Sequence, residues 1–188
     1  DALILADIGV MDYASRRWPD LPLHLSVQAS GTNYEALRFY HKLFGIGDWH
    51  FYTYGKPLVK KMSYRGKPAD HKMRVALSYL GTMRIELIQM LKGDTVYADF
   101  VKEHGYGLHH LGVLVDDMTT AIEQAKAAGL SVIMDGAGFG GEGDGHYAYL
   151  DTEKFIGATI ELIERPKSRM PPEKIYPPES GQPHSEEE

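Results

Sequence analysis

The chain has 188 residues, 43% of them hydrophobic, and a net charge of −6, so it has enough apolar side chains to bury a core. The acidic balance argues against a protein that binds nucleic acid by neutralising phosphates. No apolar run is long enough to span a bilayer. Cysteine is absent, which excludes disulfides, thiolate nucleophiles and cysteine-ligated zinc. We therefore expect a cytoplasmic protein with neither a membrane nor a nucleic-acid partner.

The residue pattern divides the chain into four segments. Residues 1–20 are predicted to be an N-terminal extension, 21–104 a first module, 105–166 a second module, and 167–188 a proline-rich acidic tail. The tail is expected to be extended or disordered because it combines many prolines with three terminal glutamates.

The first module is predicted to have the order β-α-β-β-β. A strand over 23–29 precedes the capping-box pattern Thr32-x-x-Glu35 and a helix that Gly45 ends. Three strands are then expected at 49–54, 74–80 and 83–89. A short helix over 95–103 connects this module to the next.

The second module repeats this order. Residues 108–115 are predicted to form a strand, Asp116 or Asp117 caps the following helix, and Gly129 ends it. Strands are expected at 130–134, 146–150 and 158–163. The pattern therefore predicts an α+β fold built from two tandem βαβββ modules.

Two short sequence motifs each occur twice, and each contains a residue type that binds metals. His24-Leu25-Ser26-Val27 returns as His110-Leu111-Gly112-Val113, and Ile85-Glu86-Leu87-Ile88 returns as Ile160-Glu161-Leu162-Ile163. Strand side chains alternate between faces, so each histidine or glutamate lies opposite its apolar neighbours. This alternation also selects His110 over His109. Two imidazoles and two carboxylates suit one divalent ion, and we predict a metal site of His24, Glu86, His110 and Glu161.

These motifs resemble the vicinal oxygen chelate superfamily, which includes glyoxalase I, methylmalonyl-CoA epimerase, extradiol dioxygenases and bleomycin resistance proteins. The sequences of residues 107–117 and 157–162 are most similar to that of the epimerase, whereas the set of ligand residues is more like that of glyoxalase I. The resemblance implies that the two modules form a curved mixed sheet around a metal-binding cleft. It also implies that the four ligands are those named above.

The resemblance further implies a lyase or isomerase that removes a proton next to a metal-bound carbonyl. Glu161 is the favoured base and Glu86 the second candidate. One divalent ion per chain is expected, with Ni, Co, Mn, Fe and Zn all compatible with these ligands. The substrate would be a small molecule or a coenzyme A or thiol conjugate, and the assembly a homodimer.

Two other functions remain open from the sequence. An Fe(II)-dependent extradiol-type dioxygenase would use two histidines and one carboxylate, but Glu86 occupies a position that such enzymes leave open. A protein that sequesters a small molecule would need no complete ligand set.

Three further features receive structural interpretations. The segment 56–74 has seven basic residues and one acid, and is interpreted as a solvated hairpin, with a grip on an acidic substrate as the alternative. The glycine-rich run 136–145 is predicted to be a loop. His71 lies in a polar stretch and is expected to be exposed, without a role.

Overall fold

The computed structural model describes residues 3–5, 17, 23–25, 40–81 and 83–177. The chain divides into two units. Unit 1 comprises Asp1–Thr53, Arg74–Gln89 and Pro172–Glu188, and unit 2 comprises Tyr54–Met73 and Met90–Pro171. The fold is sheet-rich α+β with mixed sheets, as the sequence predicted. Across the described ranges, no helix has the length and apolar character needed to cross a bilayer.

Twelve strands and three helices have both of their ends within the described ranges. In chain order they are β1 (Leu3–Leu5), β2 (Leu23–Leu25), β3 (Trp49–Tyr54), β4 (Lys61–Tyr64), β5 (Lys67–Pro68), β6 (Lys72–Leu80), β7 (Met83–Lys92), α1 (Val96–His104), β8 (His110–Leu114), α2 (Met118–Ala127), β9 (Val132–Phe139), β10 (Gly145–Leu150), α3 (Glu153–Ile156), β11 (Thr159–Glu164) and β12 (Lys174–Tyr176).

Unit 2 contains the predicted βαβββ order as β8-α2-β9-β10-β11. Its sheet has the strand order β5-β4-β9-β10-β11-β8. Strand β11 lies antiparallel to β10 and parallel to β8, with Glu161 opposite Gly112 in the parallel pair. The chain passes from β8 through α2 to β9, and the two antiparallel pairings β9–β10 and β10–β11 then bring β11 beside β8 in the parallel direction.

Helix α2 covers one face of this sheet. The Asp117 side chain accepts a hydrogen bond from the Thr120 backbone N–H and caps the helix, and Gly129 at φ +81° follows its end. Met118 packs with Leu150 and Leu162 in the buried cluster beneath the helix. Each such side chain contributes roughly 1.5–3 kcal/mol by leaving water. The alternation of β11 thus directs Leu162 to the helix and Glu161 to the opposite face.

Unit 1 contains a second sheet, with the order β12-β3-β6-β7. Its buried cluster consists of Ile46, Trp49 and Ala76. Strand β12 lies within the segment predicted to be a tail, and the Glu173 carboxylate next to it accepts hydrogen bonds from the backbone N–H and hydroxyl of Thr53. Strand β2 pairs in parallel with β1. Residues 40–44 are helical, and the predicted capping box at Thr32 lies outside the described residues.

Two sequence interpretations change with the structure. The glycine-rich run was expected to be a loop, but its first part belongs to β9, which pairs with β10 on one side and β4 on the other. The basic segment contains the β4–β5 hairpin, as interpreted, and β4 extends the unit 2 sheet. His71 was expected to be exposed, and it is 1% exposed. The run belongs to a strand because both β10 and β4 pair with it, and His71 is buried beside Tyr147, 76 residues away in the chain.

Gly136 generates the first prediction. It faces Tyr147 across the β9–β10 pair, and a Cβ at this position would overlap the phenol ring. Gly136→Ala should therefore lower the free energy of unfolding by about 1–3 kcal/mol, measured by urea denaturation. In a Tyr147→Ala background the same change should be neutral or stabilising by about 0.5–1 kcal/mol, because alanine suits a strand better than glycine. Equal destabilisation in both backgrounds would show that the ring is not the cause.

Candidate metal and active site

The centre of the candidate site in unit 2 is a buried pair formed by His110 and Glu161. His110 begins β8 and Glu161 lies in the middle of the adjacent strand β11, where their side chains share the face opposite α2. The Nε2 atom of His110 is 3.5 Å from Oε2 of Glu161. The side chains are only 11% and 8% exposed, so the two groups meet in a largely water-free environment.

The distance between these atoms fits two ligands of one cation. A charge-assisted N–H···O hydrogen bond is usually about 2.7–2.9 Å long, so 3.5 Å is long for such a bond. Two ligand atoms that each lie about 2.1 Å from one metal are roughly 3–3.5 Å apart in octahedral or tetrahedral geometry. The donor types, an imidazole nitrogen and a carboxylate oxygen, are also those of catalytic zinc and non-haem iron sites.

Gly112 keeps the space beside Glu161 free of a side chain. It faces Glu161 in the parallel register, two residues after His110 and on the same side of the strand. A Cβ at this position would lie 2.9 Å from Cδ1 of Ile163 and 3.7 Å from Oε2 of Glu161. Any residue larger than alanine would press on the carboxylate.

His109 contacts the imidazole of His110, a contact that the sequence analysis did not predict. Its Nδ1 atom forms a 3.0 Å hydrogen bond with Nδ1 of His110. Burial, followed by the neighbouring charge of His110, lowers the pKa of His109 to about 3, so the ring is neutral near neutral pH. The alternation rule rejected His109, but this residue precedes the first residue of β8 and is not bound by strand geometry. The two adjacent histidines were the sequence feature that could have indicated this contact.

Aromatic rings extend from this pair across the same face of unit 2. Tyr149 contacts His110 edge-on with ring centroids 5.3 Å apart, and its hydroxyl is 2.6 Å from that of Tyr97. Tyr147 continues the row, 5.9 Å from Tyr149. Together these rings surround the His110 imidazole with apolar surface and restrict its rotation.

A second buried polar pair joins His71 to Tyr147. Nε2 of His71 is 2.8 Å from the Tyr147 hydroxyl, and Nδ1 of His71 has no hydrogen-bond partner among the described residues. Burial lowers the pKa of His71, against the opposing charges of Asp135 and Asp70. Burial, then the charge of Glu161, raises the pKa of Tyr147 well above its usual range. Both groups are therefore neutral near neutral pH.

The two predicted ligands in the first module lie in unit 1. Glu86 lies on β7, where its Oε1 is 2.8 Å from a guanidinium nitrogen of Arg84 and both side chains are mostly buried. His24 lies in β2, where its backbone is opposite Ile4, and its side chain lies outside what the structure describes. The structure thus brings together His110 and Glu161 within unit 2. The ligand roles of Glu86 and His24 stay predictions.

Comparison with known families gives two matches along the chain. Residues 29–149 match the model of the glyoxalase/bleomycin resistance protein/dioxygenase superfamily. Residues 1–46 match the model of peptidase family U32. A 43-residue stretch is 37% identical to tRNA hydroxylation protein P of Escherichia coli strain K12, covering 23% of this chain and 10% of that protein.

Solved structures with similar folds include enzymes. Methylmalonyl-CoA epimerase from Mycobacterium tuberculosis is 20% identical, with a TM-score of 0.46 and coverage of 70% of this chain and 80% of the epimerase. A mutant of 4-hydroxymandelate synthase from Streptomyces coelicolor is 19% identical, with a TM-score of 0.52 and coverage of 81% of this chain and 41% of the synthase. At these identities the similarity concerns the fold alone.

The buried imidazole of His71 should make stability depend on pH. The folded protein binds a proton at His71 only below the usual histidine range, because its pKa is lowered, whereas the unfolded chain binds one near pH 6.5. Stability from His71 is therefore complete above about pH 6.5 and lost on acidification, at up to about 1.4 kcal/mol per pH unit.

The measurement is the free energy of unfolding by urea between pH 7.5 and 5. His71→Gln should show a shallower loss of stability on acidification than the wild-type chain. Tyr147→Phe removes the hydrogen bond but keeps the buried imidazole, and should retain the wild-type slope. If His71→Gln also retained the wild-type slope, His71 would not be the group responsible.

Proposed function

Because the chain belongs to the glyoxalase/bleomycin resistance protein/dioxygenase superfamily, whose members are mostly enzymes, we propose that it is a metal-dependent lyase or isomerase. The reaction would begin with removal of a proton next to a carbonyl group of a small-molecule, coenzyme A-linked or thiol-linked substrate. The observation that carries this proposal is the buried His110–Glu161 pair at 3.5 Å, a distance that suits two ligands of one ion.

The proposed metal ligands are His24, Glu86, His110 and Glu161. His110 and Glu161 supply one imidazole and one carboxylate, and Glu86 supplies the carboxylate at the matching place of the repeated Ile-Glu-Leu-Ile motif. His24 is the proposed fourth ligand, supported by the His-Leu-x-Val repeat alone. One divalent ion per chain, of the Ni, Co, Mn, Fe or Zn type, is compatible with this mixture of nitrogen and oxygen donors.

Glu161 is the proposed base. A bound divalent ion would polarise the substrate carbonyl and stabilise the negative charge that develops when the adjacent C–H bond breaks. The Glu161 carboxylate accepts the proton, and its burial keeps water away from the reacting atoms. Glu86 is the second candidate base. The aromatic rings of Tyr149 and Tyr97 hold the His110 ring in place during this transfer.

The remaining parts of the proposal concern the oligomeric state and the cellular compartment. A homodimer in the cytoplasm is proposed from the sequence resemblance and from the absence of cysteine. Light scattering coupled to size exclusion tests the dimer: a monomer at micromolar concentration would remove that part and leave the metal site unaffected.

Metal content is the first test of the proposed site. The protein, stripped with a chelator and reloaded with Zn²⁺ or Ni²⁺, should hold about one ion per chain by elemental mass spectrometry. His110→Ala and Glu161→Ala should each weaken binding by more than the roughly 10–100-fold that loss of an outer-shell partner costs. Glu86→Gln and His24→Ala show which residues of the first module participate.

The matched controls for these variants are His104→Ala and Glu153→Gln. These residues form a half-exposed ion pair on unit 2, 2.7 Å apart, and offer the same functional groups outside the site. Both controls should bind the ion with wild-type affinity. A wild-type chain that holds none of the five metals would contradict the metal proposal, and so would a chain whose binding is unchanged in both His110→Ala and Glu161→Ala.

Proton exchange is the test of the reaction. The metal-loaded protein should catalyse deuterium incorporation from D₂O next to the carbonyl of hemithioacetals or of branched acyl-CoA thioesters, followed by proton NMR. Glu161→Gln should lower the exchange rate by about 10²–10⁴-fold, because it removes the base.

Oxygen dependence separates this reaction from dioxygenase chemistry. Exchange should proceed at the same rate with and without air, and without oxygen consumption. Oxygen consumption with a catechol, together with no exchange on either class of thiol conjugate, would contradict the lyase or isomerase assignment.

A further inference from the structure

The geometry points to His109 as a positioning residue for the metal. We propose that its Nδ1 accepts the Nδ1–H of His110 and so leaves Nε2 of His110 unprotonated for the ion. This inference rests on the proposed metal site and goes beyond it by assigning the residue that sets the tautomer of its imidazole ligand.

The hydrogen bond between the two rings carries the argument. The two Nδ1 atoms are 3.0 Å apart, so a single proton lies between them and belongs to one ring. If it belongs to His110, the Nε2 lone pair of His110 points towards Glu161, 3.5 Å away, where the ion would bind. If it belongs to His109, Nε2 of His110 carries the other proton and cannot bind a cation. Metal binding therefore requires His109 to be the acceptor.

The packing around His109 makes it a fixed acceptor. The centroids of Tyr97 and Phe100, both on α1, lie 5.2 and 5.1 Å from that of His109, and both rings meet it edge-on. Tyr149 of β10 approaches from 6.0 Å. A ring packed among three aromatic side chains presents its Nδ1 in one direction.

The general behaviour of metal-bound histidines supports this role. Such residues almost always donate the N–H of the second ring nitrogen to a carboxylate, carbonyl or water, and loss of that partner typically costs 10–100-fold in metal affinity. In this chain an imidazole takes that position. It has no negative charge, so His109 fixes the tautomer and orientation of His110 without adding charge to the site.

Zn²⁺ affinity of the purified full chain is the first measurement. His109→Phe keeps a ring among the aromatic neighbours but removes the acceptor, and should weaken Zn²⁺ binding by about 10–100-fold in competition with a fluorescent chelator. His109→Asn keeps an acceptor oxygen near the place of Nδ1 and should restore most of the affinity. His104→Phe, a matched change on a histidine that also contacts Phe100, should leave the affinity unchanged.

The tautomer itself is the second measurement, because a purely structural role would not affect it. Long-range ¹H–¹⁵N NMR of the Zn²⁺-loaded wild-type chain should show His110 protonated at Nδ1 and His109 at Nε2. The melting temperature of each metal-free variant checks that the fold is retained.

Four outcomes decide whether the role of His109 holds, fails alone, or fails together with the metal proposal. Weaker Zn²⁺ binding in His109→Phe, recovery in His109→Asn and the stated tautomers support the inference. Wild-type affinity in His109→Phe overturns it while leaving the metal proposal intact, and so does a Zn²⁺-loaded His109 protonated at Nδ1. A wild-type chain that does not bind Zn²⁺ or any other of the proposed ions overturns both.

Discussion

The parallel register of β8 on β11 is the constraint on which the site depends. It places Glu161 opposite Gly112 and sets His110 on the same face, two residues away. A slip of one residue would turn Glu161 towards α2 and bury its charge against Met118, which would cost several kcal/mol. The apolar contacts of Leu162 with Met118 prevent this slip. The packing that stabilises unit 2 therefore also fixes the geometry of its functional face.

That face buries several polar rings that are neutral near neutral pH. His71 and His109 both have lowered pKa values because burial disfavours their charged forms, and Tyr147 has a raised pKa for the same reason. Neutral imidazoles and phenols accept and donate hydrogen bonds without competing with a cation for the carboxylate of Glu161. Burial of these neutral rings also makes the fold less stable on acidification. The same burial therefore limits stability at low pH and favours the neutral state of the rings around the proposed ligands.

The second module was predictable from the sequence because its signals are local. Asp117 caps α2, and the alternation of β11 separates Glu161 from Leu162. The burial of His71 was not predictable, because it depends on contact with Tyr147, 76 residues away, and on no feature of its own polar neighbourhood. The pairing of β4 with β9 is equally non-local. The ring contact between His109 and His110 was also not predictable from alternation, because His109 lies one position before the strand.

In the first module, a short sequence repeat is by itself weak support for assigning a metal ligand. The His-Leu-x-Val motif at His24 has the alternation of any half-buried strand, so three matching residues specify a strand more strongly than a ligand. The strand of His24 pairs with β1, whereas the strand of His110 pairs with the strand of Glu161. His24 also lies within residues 1–46, which match a different family model. Glu86 and His110 lie inside the superfamily match, whereas Glu161 lies beyond its end and is supported by its distance from His110. The metal proposal therefore depends first on His110 and Glu161, next on Glu86, and least on His24.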